Sequence, residues 1–175
     1  MGRIILVTGG ARSAEELYSK ERDVVYIATA RISDEEMRDR VSLHRAQRPE
    51  EWLTYERNYG LKDAVGTAKN YLLDCITVLI SNIMFDLTGE LDAISLKKQR
   101  EVEDRVVSEI YELAEAVKKI EGNLVMVTNE VGYSIVPENN IARIFRDVAG
   151  RVNQRTAELC TEVYLVACGI PLRLK

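Results

Sequence analysis

Five apolar runs constrain this chain most: Ile4-Ile5-Leu6-Val7-Thr8, Val24–Ala28, Tyr71–Leu73, Leu124–Thr128 and Val163–Ala167. They are largely continuous, without the polar alternation of a strand that has one wet face, so they read as strands covered on both sides. Helical patterns lie between them. Ser33-Asp34-Glu35-Glu36 is a capping box that opens a helix to about Gln47, and Pro49 stops it. From about Ser95 to Lys119 a charged segment carries Val102, Val106, Ile110, Leu113 and Val117 at helical spacing. A third helix is expected from about Asn139 to Cys160. Trp52, Thr54 and Glu56 suggest a short extended segment. Strands alternating with helices predict an α/β fold with a mostly parallel sheet and helices on both faces. No repeat, low-complexity tract or Pro/Gly-rich linker divides the 175 residues, so one domain over 1–175 is expected.

Composition narrows the function classes. A net charge of −4 and a pI near 5.2 argue against a broad nucleic-acid surface. No apolar run is long enough to span a membrane, and the N-terminus has no signal-peptide pattern. Cys75, Cys160 and Cys168 lack metal-type spacing and read as reduced, mostly buried thiols of a cytoplasmic protein.

Ligands of such sheets bind beyond the carboxyl ends of the strands. After the first run comes Gly9-Gly10-Ala11-Arg12-Ser13, which opens like a phosphate-binding loop but continues Ala14-Glu15-Glu16 instead of Gly-Lys-Ser. Ser13 and Glu16 have capping-box spacing, so a helix is expected to start there and to favour an anion; an ordinary strand-to-helix turn explains the same residues. The connection to Val24 is barely long enough for a crossover, which needs roughly ten to twelve residues including its helix. Thr29 either meets a ligand or ends its strand. His44, the one histidine, has Arg40 and Arg48 a turn away and Arg45 beside it. Neutral imidazole attacks phosphorus well, and guanidinium groups neutralise phosphate oxygens. Met37, Val41 and His44 equally fit an apolar stripe that the ring completes. Asp74 has the placement of a Walker-B carboxylate that holds Mg²⁺, or caps the next helix. Asn129-Glu130 follow a strand at the same edge. Arg143, Arg146 and Arg151 read as a solvated face or as subunit contacts.

Read together, "ILVTGGARS", "VYIATA", "DEEMRDRVSLHRAQRPEEW", "LLDCITVLISN", "VTNEVGYSIVPENNIARIFRDVAGRVNQ" and "EVYLVACGIPLRLK" span nearly the whole chain. They resemble, in order, the bifunctional adenosylcobinamide kinase / adenosylcobinamide-phosphate guanylyltransferase family of cobalamin synthesis. The resemblance implies a P-loop type domain, a homotrimer and two reactions. A nucleoside triphosphate, ATP or GTP, phosphorylates the aminopropanol hydroxyl of adenosylcobinamide. GMP then passes from GTP to adenosylcobinamide phosphate through a guanylylated histidine, giving adenosylcobinamide-GDP. The motif histidine of "HRxxRPxxW" falls on His44. Gly9, Gly10, Ala11, Arg12 and Ser13 fall on the phosphate loop. Ala28, Thr29, Ala30, Arg45, Ala46, Gln47, Arg48, Glu56 and Asp74 fall on guanine-nucleotide positions, with Asp74 the expected magnesium ligand.

One departure stands out. The family loop reads GGARSGKSxxAE, whereas this chain reads GGARSAEE, so about five residues are absent and the kinase step is expected to be badly weakened. The gap leaves three readings: a chain that lacks the residues, a shortened one, or an internal segment left out between Ser13 and Ala14, which a chain break there would reveal. Two further functional readings stay open: a degenerate nucleotide-binding module, or a kinase with a structural His44.

Overall fold

The computed structural model describes residues 2–32, 35–46, 48–89 and 93–175. The element order is β1 (Ile4–Thr8), α1 (Ala11–Glu16), β2 (Val24–Ala28), α2 (Glu35–Ala46), β3 (Leu53–Glu56), β4 (Asn70–Asp74), α3 (Ile76–Thr88), α4 (Leu96–Lys119), β5 (Asn123–Thr128), α5 (Asn140–Leu159), β6 (Glu162–Ala167) and β7 (Ile170–Arg173). Short 3₁₀ turns lie at Leu61–Ala64 and Val131–Tyr133.

The strands form one seven-stranded sheet in the order β3-β2-β4-β5-β1-β6-β7. Every pairing is parallel except the β6–β7 hairpin. The fold is thus the expected α/β type with a mostly parallel sheet. β1 lies between β5 and β6, and β5 separates it from β4, whose last residue is Asp74. All five expected strands are present. The segment around Thr54 is β3, and Trp52 just before it is buried, its indole N–H donating to the Glu21 carbonyl at 2.9 Å.

The strands are apolar throughout because each divides its side chains between two cores. Ile4, Leu6, Val25, Ile27, Tyr71, Leu73, Leu124 and Met126 face α3, α4 and α5. Ile5, Val7, Val24, Tyr26, Leu72, Val125 and Val127 face the other way, onto Ala14, Tyr18 and Trp52. The covers are unequal. The first face carries three long helices, whereas α1 is only six residues long.

Two helices begin close to the starts expected from the sequence, and each has a side-chain cap. Ser95 Oγ accepts from the Lys98 N–H at 3.3 Å, and Asn139 Oδ1 accepts from the Ala142 N–H at 2.9 Å. Val102, Val106, Ile110, Leu113 and Val117 form the buried face of α4. Leu113 is fully buried, so Leu113→Ala is expected to cost about 2–5 kcal/mol, read as a lower urea midpoint at unchanged slope. A loss below about 1 kcal/mol would show that the α4 contact collapses around the cavity.

Some expectations are corrected. α1 starts at Ala11 with Gly10 as N-cap and no side-chain cap bond, so Ser13 lies inside the helix and the Ser13/Glu16 box is not formed. α1 runs through both Ser13 and Ala14. The other box, at Ser33 and Asp34, and the helix end at Gln47 lie outside the described residues. α3 was expected only in the reading that makes Asp74 a helix cap, and β7 was not expected. Cys75 and Cys160 are buried, and burial pushes their thiols up to about 11 and about 12, but Cys168 is exposed. No helix among the described residues is long and apolar enough to cross a membrane.

At the start of β1, Arg3 Nε and Nη2 donate to the Glu162 carboxylate at 2.7 and 3.0 Å, joining β1 to β6. The arginine, with help from the Tyr164 hydroxyl, holds the Glu162 carboxyl down at about 2. Folding therefore favours the carboxylate, and this contribution is present above about pH 4.5 and lost as pH falls toward 2. The melting midpoint is expected to fall less steeply over that window in Glu162→Gln than in the parent. Equal slopes would remove Glu162 from the acid response.

Candidate active site

Because β1 to β6 are parallel, their carboxyl ends share one edge, and nearly every residue singled out in the sequence lies along it. Register aligns three of them. Ala28 of β2 is level with Glu56 of β3 on one side and with Asp74 of β4 on the other. Four parallel strands end there as Glu56, Ala28, Asp74 and Thr128, with the Gly9-Gly10 turn beyond β1.

That turn needs its first glycine. Gly9 sits at φ 88°, and a Cβ on it would lie 2.6 Å from the Val166 carbonyl oxygen. Its N–H donates to the Thr128 carbonyl at 3.1 Å. Gly10 then caps α1, which contains Ala11, Arg12 and Ser13. The chain has no residues left for a loop that could wrap a phosphate before the helix begins. This is the physical content of the missing Gly-Lys-Ser.

α2 brings His44 and Arg45 toward the same edge. Arg45 Nη2 pairs with Glu56 Oε1 at 3.0 Å, an exposed contact between two residues expected at the guanine nucleotide. Arg48 follows α2 and turns inward. Its guanidinium stacks on the Tyr26 ring, 3.5 Å from the centroid, and its side chain is 9% exposed. The Tyr26 hydroxyl in turn donates to Asp74 Oδ2. Burial, with the Asp74 charge beside it, raises the Tyr26 phenol so that it keeps its proton and remains a donor. Arg48, Tyr26 and Asp74 thus form one connected stack from α2 to the end of β4.

Glu15 of α1 closes this stack. Its Oε1 lies 3.9 Å from Arg48 Nε, too far for a hydrogen bond. Both atoms are buried without a hydrogen-bond partner. Burial first, then the Asp74 charge, raises the Glu15 carboxyl, while Arg48, His44 and Arg12 draw it down. One carboxylate therefore sits within electrostatic reach of four residues expected to handle the nucleotide.

Other expected residues have different work. Thr29 is fully buried, and its hydroxyl donates to the Cys75 carbonyl at 2.8 Å and accepts the Cys75 N–H at 2.9 Å. It braces the ends of β2 and β4, so its strand-ending role is the one the geometry supports. Ala30 follows it, half-buried. Ala46 ends α2 on the exposed side, and Gln47 lies outside the described residues. Asp74 is not a helix cap; Cys75 is, its Sγ accepting from the Val78 N–H at 3.5 Å. Glu130 accepts from the Thr8 hydroxyl at 3.1 Å, and Thr128 donates to Asn153 at 2.7 Å. These bonds tie β1, β5 and α5 together behind the glycine turn.

Glu15 and Tyr26 were not singled out in the sequence. For Tyr26 a signal existed: a phenol inside a buried strand must find a partner for its hydroxyl. Glu15 gave none, since the capping pattern pointed to Glu16.

A magnesium ion fits this donor set. Asp74 has one oxygen taken by Tyr26, and its other oxygen accepts no hydrogen bond among the described residues. No cluster of three or more acidic, His or Cys side chains suited to a metal occurs among the described residues. Magnesium commonly uses one or two carboxylates, water and substrate phosphates, so a lone Asp74 suffices.

The family model for cobinamide kinase / cobinamide phosphate guanyltransferase matches residues 5–174. The chain is 43% identical over 181 residues to the bifunctional adenosylcobalamin biosynthesis protein CobU of Escherichia coli (strain K12), covering 98% of this chain and 99% of that protein. It is 43% identical over 184 residues to CobU of Salmonella typhimurium, covering 98% and 99%. To CobP of Pseudomonas aeruginosa it is 33% identical over 181 residues, covering 97% and 96%. A solved KaiC-like protein, PH0186 from Pyrococcus horikoshii OT3, superposes at a TM-score of 0.45 with 10% identity, over 98% of this chain and 76% of that one. An alignment of 181 positions on a 175-residue chain leaves at least six of them facing a gap here. The match runs from β1 to the end of β7, and the chain belongs to the cobinamide kinase / cobinamide phosphate guanyltransferase family.

Proposed function

We propose that this chain is a transferase of cobalamin biosynthesis that passes GMP from GTP to adenosylcobinamide phosphate through His44. The observation that carries this reading is the convergence of Arg48, Arg45 and Asp74 beside the His44 helix at the carboxyl edge of the sheet. In the first half-reaction a neutral imidazole nitrogen of His44 attacks the α-phosphorus of GTP. A P–N bond forms, the bond to the β-phosphate oxygen breaks, and pyrophosphate leaves with its electron pair. Arg48 and Arg45 neutralise phosphate charge as it builds. In the second half-reaction a phosphate oxygen of adenosylcobinamide phosphate attacks the same phosphorus. The P–N bond breaks, adenosylcobinamide-GDP forms, and His44 returns to its starting state. Dividing the transfer keeps each step between two oriented groups.

Asp74 would hold magnesium, oriented by the Tyr26 hydroxyl. Magnesium supplies charge neutralisation of the triphosphate.

The kinase half has a weaker basis in this chain. The family phosphorylates the adenosylcobinamide hydroxyl with ATP or GTP, but α1 begins directly at Ala11 and no Gly-Lys-Ser precedes it. A guanylyltransferase with residual kinase activity therefore fits the residues better than an enzyme with two equal activities. The homotrimeric reading rests on the family resemblance, the single-domain reading also on the undivided sequence and the cytoplasmic one on the cysteine usage, and all three belong to this same proposal. Intact-mass spectrometry before and after GTP with magnesium tests it: one added GMP is expected. An unchanged mass with GTP still bound would leave a nucleotide-binding module without the transfer.

A further inference from the structure

Arg48 is an unusual arginine. Its side chain is 9% exposed, its plane rests on Tyr26, and its Nε has no hydrogen-bond partner. A buried guanidinium in that state lacks an acceptor it is built to use, and its planar fork matches a phosphate or a carboxylate. The nearest anion is Glu15, whose Oε1 stops at 3.9 Å and is itself unpartnered. The two charges face each other without completing a hydrogen bond.

The origin of this contact lies in the shortened loop. Counted from Gly9, the glutamate of a GGARSGKSxxAE loop is the twelfth residue; in GGARSAEE it is the seventh, Glu15. The Gly10 cap starts α1 at once, Ala14 packs fully buried against the sheet, and Glu15 follows it toward Arg48 and the end of β4. The deletion thus brings an anion five positions closer to the glycine turn, under the attraction of Arg48, His44 and Arg12 and repelled by Asp74.

We infer that Glu15 occupies the phosphate position of the nucleotide site, its carboxylate standing against Arg48 so that an incoming phosphate must displace it. Glu15 thereby sets the affinity for phosphate-bearing ligands. Removing its charge leaves Arg48 and Arg12 free for the ligand's phosphates. The inference rests on the guanine-nucleotide reading of the site, and its test separates the two.

The experiment measures dissociation constants of GTP and of pyrophosphate for the parent, Glu15→Gln and Glu15→Ala, with melting midpoints as a folding control. Pyrophosphate has no base, so it reports the phosphate position alone. Both ligands are expected to bind about tenfold more tightly to either variant. No gain in either folded variant overturns the inference, as does a gain for GTP without one for pyrophosphate. A GMP adduct on the parent protein combined with no gain overturns the inference and leaves guanylyl transfer standing. A gain for both ligands with no adduct supports the inference and removes guanylyl transfer. Failure of all three proteins to bind either ligand overturns both.

Discussion

His44→Ala is expected to abolish the GMP adduct and to lower guanylyl transfer by at least about 10³-fold, the scale on which loss of a covalent nucleophile is felt. His44 is the chain's one histidine, so no neighbouring imidazole can replace it. It is half-buried on α2, one residue before the Arg45–Glu56 pair. Alanine is a strong helix former and removes no large core contact there, so the fold should survive. The measurement is intact mass after GTP, paired with the rate of adenosylcobinamide-GDP formation. An adduct that persists in His44→Ala would transfer the nucleophile's role to another side chain. Loss of the adduct with an unchanged rate of product formation would mean that GMP passes directly to its acceptor.

Inserting Gly-Lys-Ser and two further residues between Ser13 and Ala14 is expected to raise adenosylcobinamide phosphorylation by on the order of 10²–10³-fold. That is the range measured when a single preorganised donor to a developing oxyanion is lost, and the insertion supplies a lysine, a hydroxyl and loop N–H groups together. It also moves the present Glu15 five positions further from Gly9 and away from Arg48. The readout is hydroxyl phosphorylation with ATP and with GTP, with the His44 adduct as a check that the site still assembles. An inserted protein that forms the adduct but phosphorylates no faster would show that the kinase deficit lies outside this loop.

The frame of the sheet was legible because buried parallel strands write themselves as unbroken apolar runs. The helices α4 and α5 were legible for a different reason: their apolar residues recur at helical spacing. α3 escaped because Ile76–Thr88 is apolar on most of its circumference and opens with Ile, Thr and Val, residues that favour strands as readily. β7 escaped because Ile170–Arg173 is four exposed edge residues that include Pro171. In the site, residues at strand ends could be listed from the sequence, and register does bring Ala28, Glu56 and Asp74 level. The Glu15–Arg48–Tyr26–Asp74 contacts could not. They join α1, the second residue beyond α2, β2 and β4, and no local pattern records which side chains meet above a sheet. Thr29 shows the reverse: its position at a strand end suggested a ligand contact, yet its hydroxyl is spent on the Cys75 backbone.

The two faces of the sheet are covered unequally, and this sets an order of opening. One face is sealed by 13-, 24- and 20-residue helices, while α1 offers six residues to the other. A helix of six residues has too few turns to persist once detached, since isolated helices shorter than about 12–15 residues are marginal in water. β5 lies inside the sheet between β4 and β1, so amide protons of Ala14–Tyr18 are expected to exchange with solvent through a local excursion, while those of β5 wait for the whole molecule to unfold. The segment that carries Glu15 is therefore expected to open before the central strands do. It can swing off Arg48 to admit a phosphate without disturbing the frame that holds the rest of the site.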